Sequence, residues 1–311
     1  MLRTLILASL MSALTLAASP TIWTAINVSP TVFQAEANLI QFPSGANFLI
    51  DAGDPNENLL PFLQKEGIRH FKGIVITHAH RDHYTGLLKI LDSGIKTDTL
   101  YMRMPEKALC SEPEWGCTFK VMNKFWKDVE KRGVKARWFN DLEFLHEESG
   151  ITLRALRSVP GIGPPLGQTN VNGMSPLIRL IVGRTKVLFT GDLDPVTAEY
   201  FLRTMKAPQA DIIQAPHHGG EPFPSDQFFD IVQPEAIIVN TTAGNWTRPI
   251  TQRLREYIKR NSLKQYVTGI DGNIRVYMDG EKYWIKTDIT AAKTDTLTSA
   301  IPRRGTVLLR Q

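Results

Sequence analysis

The sequence predicts an α/β protein in which β-sheets are covered by helices. Strand patterns come first, a long amphipathic helix follows, and a second group of strand patterns fills the middle of the chain. After that, helices and strands alternate, which is typical of helices packed on the faces of sheets. The 311 residues contain no internal repeat and no obvious linker, so we expect one domain at 22–288.

Apolar runs and turn residues place the individual elements. Hairpins are expected to turn at 43–45, near 149–150 and at 183–184, where Gly, Pro or Ser interrupts two strand patterns. Further strands are expected at 73–77, 211–214, 236–240, 265–269, 273–278 and 281–286. Helices are expected at 58–66, from 84 to 92, over 118–132, from 195 to about 205, near 226–232 and at 250–260. The tail at 289–311 has no clear period, and we expect it to be loose.

The first residues have the layout of a secretory signal peptide, which we place at 1–18. Arg3 is followed by an apolar stretch and then by small residues at 17–19. We therefore expect an exported protein, periplasmic or extracellular, with no transmembrane segment in the mature chain. Cys110 and Cys117 are the only cysteines, and in an exported protein such a pair favours a disulfide. Half of a zinc site is the rejected alternative, because no second cysteine pair exists.

The composition is that of an ordinary globular protein, with 42% hydrophobic and 22% charged residues. The net charge is +5 and the pI about 9.1. A mild basic excess serves solubility, or it attracts phosphate-bearing and other acidic partners. No obligate protein partner is indicated.

A dense group of metal-ligand side chains follows the strand predicted at 73–77. His78, His80, Asp82 and His83 lie within six positions, although the chain has only seven histidines. Imidazole and carboxylate are the ligands of zinc and manganese, so the spacing predicts a metal site. The alternative is a polar loop that caps the next helix.

Two later segments repeat this arrangement of a strand followed by ligand-type residues. Asp192 follows an apolar run and Gly191, and the pair His217 and His218 follows another buried run. Asp192 could instead be a helix N-cap, since Pro195 comes soon after it. The two histidines could instead be ordinary polar surface residues. Because all three segments share one layout, we expect them to meet at one site.

These segments, THAHRDH, TGDLD and PHHGG, resemble the metal motifs of the metallo-β-lactamase superfamily. The hairpin NLIQFPSGANFLIDAGD, which ends at Asp51, resembles the opening hairpin of that superfamily. Over residues 25 to 285 the chain is similar to the soluble hydrolase domain of the ComEC/Rec2 competence proteins. The resemblance implies an αββα sandwich, with two mixed sheets flanked by helices and a two-metal site at the sheet edges.

The resemblance also implies a role for each motif residue. His78 and His80 would hold one divalent ion, Asp82 and His83 the other, and Asp192 would bridge the two. One histidine of the 217–218 pair would complete the second site. His218 is the expected ligand and His217 the expected contact to the substrate or the transition state, although the sequence alone leaves open which of the two binds the metal. Asp82, Asp192 and His217 are therefore the candidate catalytic residues. Zinc is the expected metal and manganese the alternative.

One position departs from the superfamily pattern. Many members carry a further histidine between the first cluster and the bridging aspartate, but here only His146 lies in that interval, inside a predicted strand. We interpret His146 as structural. The segment QTNVNGMS takes the usual place of the missing ligand, and we expect Asn172 and Ser175 to contact the substrate. The first ion would then be open to water or substrate, as catalytic metals are.

The predicted function is that of an exported metal-dependent hydrolase, a phosphodiesterase or nuclease that uses a dinuclear metal-activated hydroxide. The charge of two divalent ions exceeds that of Asp82, Asp192 and a hydroxide, which suits an anionic substrate such as nucleic acid. One alternative is a hydrolase of a phosphorylated envelope component, similar to phosphorylcholine esterases. Another is a non-catalytic binding protein with a degenerate site.

Overall fold

The computed structural model describes residues 19–28, 34–54, 58–157, 171–205, 208–289 and 295–298. Over these ranges, no helix is both long enough and apolar enough to cross a membrane. The expected signal peptide at 1–18 lies outside the described residues.

The first of two large sheets joins the two ends of the domain. Its order is β18-β17-β16-β1-β2-β3-β4-β5-β8, and β3, β4, β5 and β8 run parallel. The strands are β1 Thr21–Ala25, β2 Asn38–Gln41, β3 Asn47–Ile50, β4 His70–Val75, β5 Lys96–Tyr101, β8 Ala136–Arg137, β16 Ile274–Met278, β17 Lys282–Thr287 and β18 Asp295–Thr298. Of the tail expected to be loose, residues 295–298 form β18, which pairs antiparallel with β17. The segments 290–294 and 299–311 lie outside the described residues.

The second large sheet has the order β15-β14-β13-β12-β11-β10-β9. Its strands are β9 Phe144–Glu148, β10 Ile151–Arg157, β11 Leu177–Val182, β12 Thr185–Phe189, β13 Ile212–Gln214, β14 Ala236–Val239 and β15 Lys264–Val267. The hairpins predicted from the sequence form β2–β3, β9–β10 and β11–β12. From β12 to β15 the strands are parallel, so their carboxyl ends meet at one edge.

Helices cover the outer faces of both sheets. They are α1 Leu59–Lys65, α2 Arg81–Tyr84, α3 Leu87–Asp92, α4 Phe119–Lys131, α5 Pro195–Thr204, α6 Asp226–Val232, α7 Ala243–Trp246, α8 Gln252–Arg260 and α9 Thr268–Asp271. A small ribbon of β6 Ser111–Glu112 and β7 Cys117–Thr118 precedes α4. The helix expected from residue 84 is divided into α2 and α3, so the segment with His83 forms a short helix of its own.

Alternation along the strands produces three apolar layers. In β12, Val187 and Phe189 face the layer between the sheets, whereas Leu188 faces the outer layer under α5, α6 and α8. The first sheet packs its other face against α1, α3 and α4. Trp23 and Phe189 meet across the central layer, with ring centroids 4.9 Å apart. Because strand side chains point to opposite faces in turn, this pattern builds the αββα sandwich, and the predicted fold is confirmed.

The central layer predicts a clear difference between two phenylalanines of the second sheet. Phe189 is 1% exposed, whereas Phe144 is 47% exposed. Phe189→Ala should lower the free energy of unfolding by about 3–5 kcal/mol, since it opens a cavity between the sheets. Phe144→Ala should change it by about 0.5 kcal/mol or less. Urea denaturation measures both, and similar losses for the two variants would contradict the layer assignment.

Candidate metal centre

The predicted ligand segments begin where neighbouring strands end. The segment with His78, His80, Asp82 and His83 follows β4, whereas Asp192 follows β12. The pair at 217–218 follows β13, which lies beside β12 in the same parallel group. Because these carboxyl ends open at one edge between the two sheets, the side chains converge although up to 140 residues separate them. The expectation that the three segments meet is confirmed.

Asp192 lies at the centre of the cluster. Its Oδ1 is 3.3 Å from His83 Nε2 and 3.4 Å from His218 Nε2. Its Oδ2 is 3.6 Å from His78 Nε2 and 3.9 Å from His217 Nε2. The two oxygens therefore face different imidazoles, which is the arrangement needed for a carboxylate that bridges two ions.

A second carboxylate of the cluster belongs to Asp82. Its Oδ2 is 3.4 Å from His218 Nε2 and accepts a hydrogen bond from Gln34 Nε2 at 3.1 Å. Among the described residues, four sets of three ligand atoms each fit within 4.8 Å. Two of them are His78, His83 and Asp192, and Asp82, His83 and His218, and the other two include Glu36. His80 lies toward the cleft, with its ring centroid 4.8 Å from that of His78.

Several ligand atoms of the cluster are buried without a hydrogen-bond partner. They are Nε2 of His78, Oδ1 of Asp82 and both carboxylate oxygens of Asp192. A buried polar atom without a partner is costly and rare. Nitrogen and oxygen atoms of this kind suit borderline divalent ions such as zinc or manganese. The donor set therefore fits a metal centre, with His78, His83 and Asp192 in one group of ligand atoms and Asp82, His83 and His218 in another, whereas His80 belongs to neither group.

Hydrogen bonds on the far side of each inner ring fix its orientation. His83 Nδ1 is 2.9 Å from Asp51 Oδ2, and His218 Nδ1 is 2.8 Å from the Asn240 carbonyl oxygen. Thr77 Oγ1 donates to Asp51 and lies 3.1 Å from His78 Nδ1. In all three rings Nδ1 is held, so Nε2 is the nitrogen presented to the cluster. Such outer contacts are typical of metal-ligating histidines.

The cluster shifts the pKa values of its members in opposite directions. Burial alone would raise the pKa of Asp192, but the nearby charges of His83 and His218 hold it well below its ordinary value. Burial alone would lower the pKa of His218, yet the Asp192 carboxylate raises it to about 9. The pKa of His78 is lowered by its burial and by His83. Without ions, protonated His83 and His218 therefore supply the positive charge that balances the carboxylates.

The alternative that Asp192 is a helix N-cap is excluded, because Asp194 occupies that position. The N-cap of α5 is Asp194, whose Oδ1 accepts the Thr197 N–H at 2.7 Å. The backbone N–H of Asp192 donates to Ser175 Oγ at 3.1 Å. Ser175 is fully buried behind His78 and Asp192, because the turn at Val171–Met174 directs the chain inward. This placement differs from the substrate contact expected for Ser175, which instead orients the aspartate backbone.

His217 lies at the border between the cluster and solvent. Its Nδ1 bonds the Pro222 carbonyl oxygen at 3.0 Å, and its side chain is 17% exposed. His217 and His218 both have positive φ angles, 51° and 54°. Two successive non-glycine residues in this conformation are strained, and such strain concentrates at functional sites. The backbone turn directs His218 into the cluster and His217 into the cleft.

The cluster opens into a cleft of about 250 Å³. Its lining is formed by Gln34, His80, Glu112, Trp115, Asn172, His217, Gly220, Glu221, Pro222, Asn245 and Ile250. Asn172 is thus at the cleft, as expected from the sequence. Glu112 and Trp115 were not anticipated, although both belong to the segment between the cysteines. His146 lies away from the cleft, in β9, with its ring 4.3 Å from that of Phe42.

The predicted disulfide is confirmed. Cys110 and Cys117 are bonded, with their Cα atoms 5.1 Å apart. The bond closes the segment that contains Glu112 and Trp115, so the loop at 110–117 forms part of the cleft wall.

The arrangement of two packed sheets with this cluster at their edge defines a metallo-β-lactamase fold. Residues 30–239 match the family model described as Metallo-beta-lactamase superfamily, and the chain belongs to that superfamily. Among curated proteins, ComE operon protein 3 of Bacillus subtilis is 25% identical over 219 residues, which are 70% of this chain and 26% of that protein. Recombination protein 2 of Haemophilus influenzae is 23% identical over 222 residues, which are 70% of this chain and 24% of that protein.

These matches confirm the similarity to the ComEC/Rec2 proteins. They span only about a quarter of the length of the curated relatives. A solved structure of a variant of the CmlA beta-hydroxylase superposes with a TM-score of 0.52 at 12% identity, over 83% of this chain and 54% of that one. At this identity the likeness concerns the fold alone.

The cluster predicts how two histidines differ in metal binding. His83 belongs to three of the four groups of ligand atoms, whereas His146 lies in a hairpin outside them. After supplementation with zinc or manganese, elemental analysis should find close to two ions per chain in the wild type. His83→Ala should lose metal, and His146→Ala should keep it. Less than one ion per chain in the wild type would contradict a two-metal centre.

The raised pKa of His218 predicts a pH dependence in the metal-free protein. A group whose pKa is raised by folding stabilises the fold below its unfolded pKa and loses that effect as pH rises through the folded value. For His218 these values are 6.5 and about 9. The free energy of unfolding, measured in chelator by urea denaturation, should therefore fall between these pH values. His218→Ala should reduce the fall, and an unchanged slope in that variant would contradict the assignment.

Proposed function

We propose that this protein is an exported, metal-dependent phosphodiesterase that acts on nucleic acid strands. The observation that carries the proposal is the buried group of unpaired ligand atoms around Asp192, which opens into a cleft beside His217. When bound, two divalent ions would supply Lewis acidity and lower the pKa of water to about 7. His78, His80 and Asp192 would hold one ion, and Asp82, His83, Asp192 and His218 the other.

The absence of a further imidazole favours phosphate esters over amides and thioesters. Among the described residues of the interval between His83 and Asp192, only His146 is a histidine, and it packs against Phe42 instead. That side of the cleft carries Asn172 and Glu112. An amide side chain donates hydrogen bonds to a phosphoryl oxygen. Asn172 would thus help to orient the phosphate within the cleft.

His217 is suited to proton transfer at the leaving oxygen. The Pro222 carbonyl oxygen holds Nδ1, so Nδ1 carries the proton in the neutral ring and Nε2 faces Asp192. In the protonated ring, Nε2–H can donate a proton or a hydrogen bond to the substrate. Because His217 is partly exposed, it can act on a substrate without giving up a place among the buried ligands.

The names of the curated relatives, a competence operon protein and a recombination protein, support nucleic acid as substrate. The disulfide between Cys110 and Cys117 supports an oxidising compartment and hence export. A cleft of about 250 Å³ is small for a ligand pocket. It favours one phosphodiester unit of a single strand over a duplex.

The same small cleft favours a second candidate, the hydrolysis of a phosphorylated envelope component. A headgroup ester presents one phosphodiester and little else to the site. A non-catalytic binding protein is the third candidate, and metal content separates it from the first two.

The reaction class is tested with purified, metal-loaded protein. Single-stranded DNA, RNA, bis(p-nitrophenyl) phosphate and phosphorylcholine esters should be incubated with zinc or manganese present. Hydrolysis of DNA or RNA is expected, and Asp192→Asn should abolish it, because the amide cannot replace the charge of the carboxylate. His146→Ala should retain activity. Efficient hydrolysis of nitrocefin or a lactone, with no phosphodiester cleaved, would overturn the proposal.

His217 gives a sharper test of the mechanism. His217→Ala should lower kcat by about 10²- to 10⁴-fold, the range for a lost general acid. It should leave the metal content unchanged. His70→Ala is the matched control, since His70 is exposed and pairs with Asp98 on the neighbouring strand of the first sheet. Loss of metal together with activity would show that His217 is a ligand instead.

A further inference from the structure

The loop closed by the disulfide makes a contact with the cluster that the predicted ligand set does not include. Glu112 Oε2 is 3.1 Å from His80 Nε2 and accepts the backbone N–H of Val171 at 3.3 Å. Val171 opens the turn that carries Asn172 into the cleft. One carboxylate therefore joins His80 to the segment that stands where many superfamily members have another histidine.

The ring of His80 is hydrogen-bonded through the other ring nitrogen than the three inner rings are. His78, His83 and His218 are held at Nδ1, whereas His80 is held at Nε2. A carboxylate that accepts the Nε2–H keeps the proton there and leaves Nδ1 as the nitrogen with a lone pair. The position of Glu112 thus decides which nitrogen His80 can offer to an ion.

The loop at 110–117 is built to keep Glu112 in place. Glu112 pairs with Cys117 in the β6–β7 ribbon, and Cys117 is bonded to Cys110. The Gly116 carbonyl oxygen accepts a hydrogen bond from Tyr84 at 3.0 Å. Gly116 has φ of 76°, and a Cβ there would lie 2.9 Å from the Cβ of Arg81. The loop is therefore packed tightly against α2, the helix that contains Asp82 and His83.

Trp115 adds a second contact from the same loop. Its ring centroid is 5.9 Å from that of His80, with the planes tilted by 36°. The indole restricts the space into which His80 could rotate and also lines the cleft. The loop thus holds the His80 ring in two ways, through the hydrogen bond from Nε2 to Glu112 and through the neighbouring ring of Trp115.

We propose that Glu112 is a positioning residue of the metal centre. Held by the disulfide loop, its carboxylate fixes His80 and the Asn172 turn on either side of the first ion. The inference rests on the metal centre of the proposed function but not on its phosphodiester chemistry. Removing an outer hydrogen-bond partner of this kind weakens metal binding by about 10- to 100-fold.

The first test measures metal affinity by competition with a chromogenic chelator. Glu112→Ala should lower the affinity for one of the two ions by about 10- to 100-fold and leave the affinity for the other unchanged. Glu112→Gln keeps an oxygen that accepts both hydrogen bonds, so it should stay within about threefold of the wild type. Glu112→Asp keeps the charge but withdraws it by one methylene group, so it should behave like Glu112→Ala. If Glu112→Asp preserved the affinity and Glu112→Gln did not, Glu112 would act through its charge or as a direct ligand. That result would overturn the proposal.

Glu114→Ala is the matched control, because Glu114 is an exposed carboxylate of the same loop. It should leave both affinities unchanged, and an equal loss in this variant would also overturn the proposal. The double variant Cys110→Ser with Cys117→Ser keeps Glu112 but frees the loop. It should lower the affinity for the same ion, but by less than Glu112→Ala does.

The second test needs no metal and separates this inference from the proposed function. Long-range ¹H–¹⁵N NMR of the metal-free protein reports which imidazole nitrogen carries the proton. Neutral His80 should be protonated at Nε2 in the wild type and in Glu112→Gln, and should become a mixture in Glu112→Ala. An unchanged spectrum in Glu112→Ala would reject the role of Glu112 even if the enzyme were an active phosphodiesterase. The predicted NMR change and metal affinities, together with no cleavage of any phosphodiester by the metal-loaded wild type, would reject the proposed function alone.

Discussion

A carboxylate buried at the edge between two sheets is the constraint on which the rest of this structure depends. Asp192 is 1% exposed, and neither of its oxygens has a hydrogen-bond partner. An isolated buried charge is very costly, so opposite charge must surround it. Imidazoles lie on both sides of Asp192, and Ser175 holds its backbone N–H. Gly191, with φ of 51°, provides the sharp bend that brings Asp192 inward past Thr77.

A polar chain between the sheets holds that bend in register. Gln214 Oε1 accepts the N–H groups of Thr190 and Gly191, and Gln214 Nε2 donates to Glu36 in the facing layer. Glu36 Oε1 also accepts a hydrogen bond from Asn38 Nδ2. Burial and the Asp51 charge raise the pKa of Glu36 to about 8, so burial in the cluster disfavours the charged form of this side chain. Because this chain crosses from one sheet to the other, sheet packing and ligand geometry are fixed together.

The sequence predicts the buried half of the site better than the cleft. His78, Asp82, His83, Asp192 and His218 follow strands with strong apolar runs, so their convergence could be expected from parallel strand ends. Glu112 and Trp115 carry no such signal, because their places depend on how loops fold over the sheet edge, and Ser175 was expected at the cleft but is buried. The same applies to the fold. The three hairpins have clear turn residues, whereas β5 begins with four polar residues, has no apolar alternation and was not predicted as a strand. Its pairing with β4 stabilises it without an apolar pattern of its own.

The described lining of the cleft lacks the basic side chains that α4 exposes to solvent. Among the described residues that line the cleft, the charged side chains are Glu112 and Glu221, and Lys and Arg are absent. The lysines of α4, such as Lys124 and Lys131, are more than three-quarters exposed on the outer layer. An anion in the cleft is therefore attracted by the centre itself and by His217, and not by the walls. Salt screens the exposed lysines far more than charges in a partly buried site. Under the proposed function, removing the metal would therefore weaken the binding of an anionic substrate in the cleft more than raising the ionic strength would.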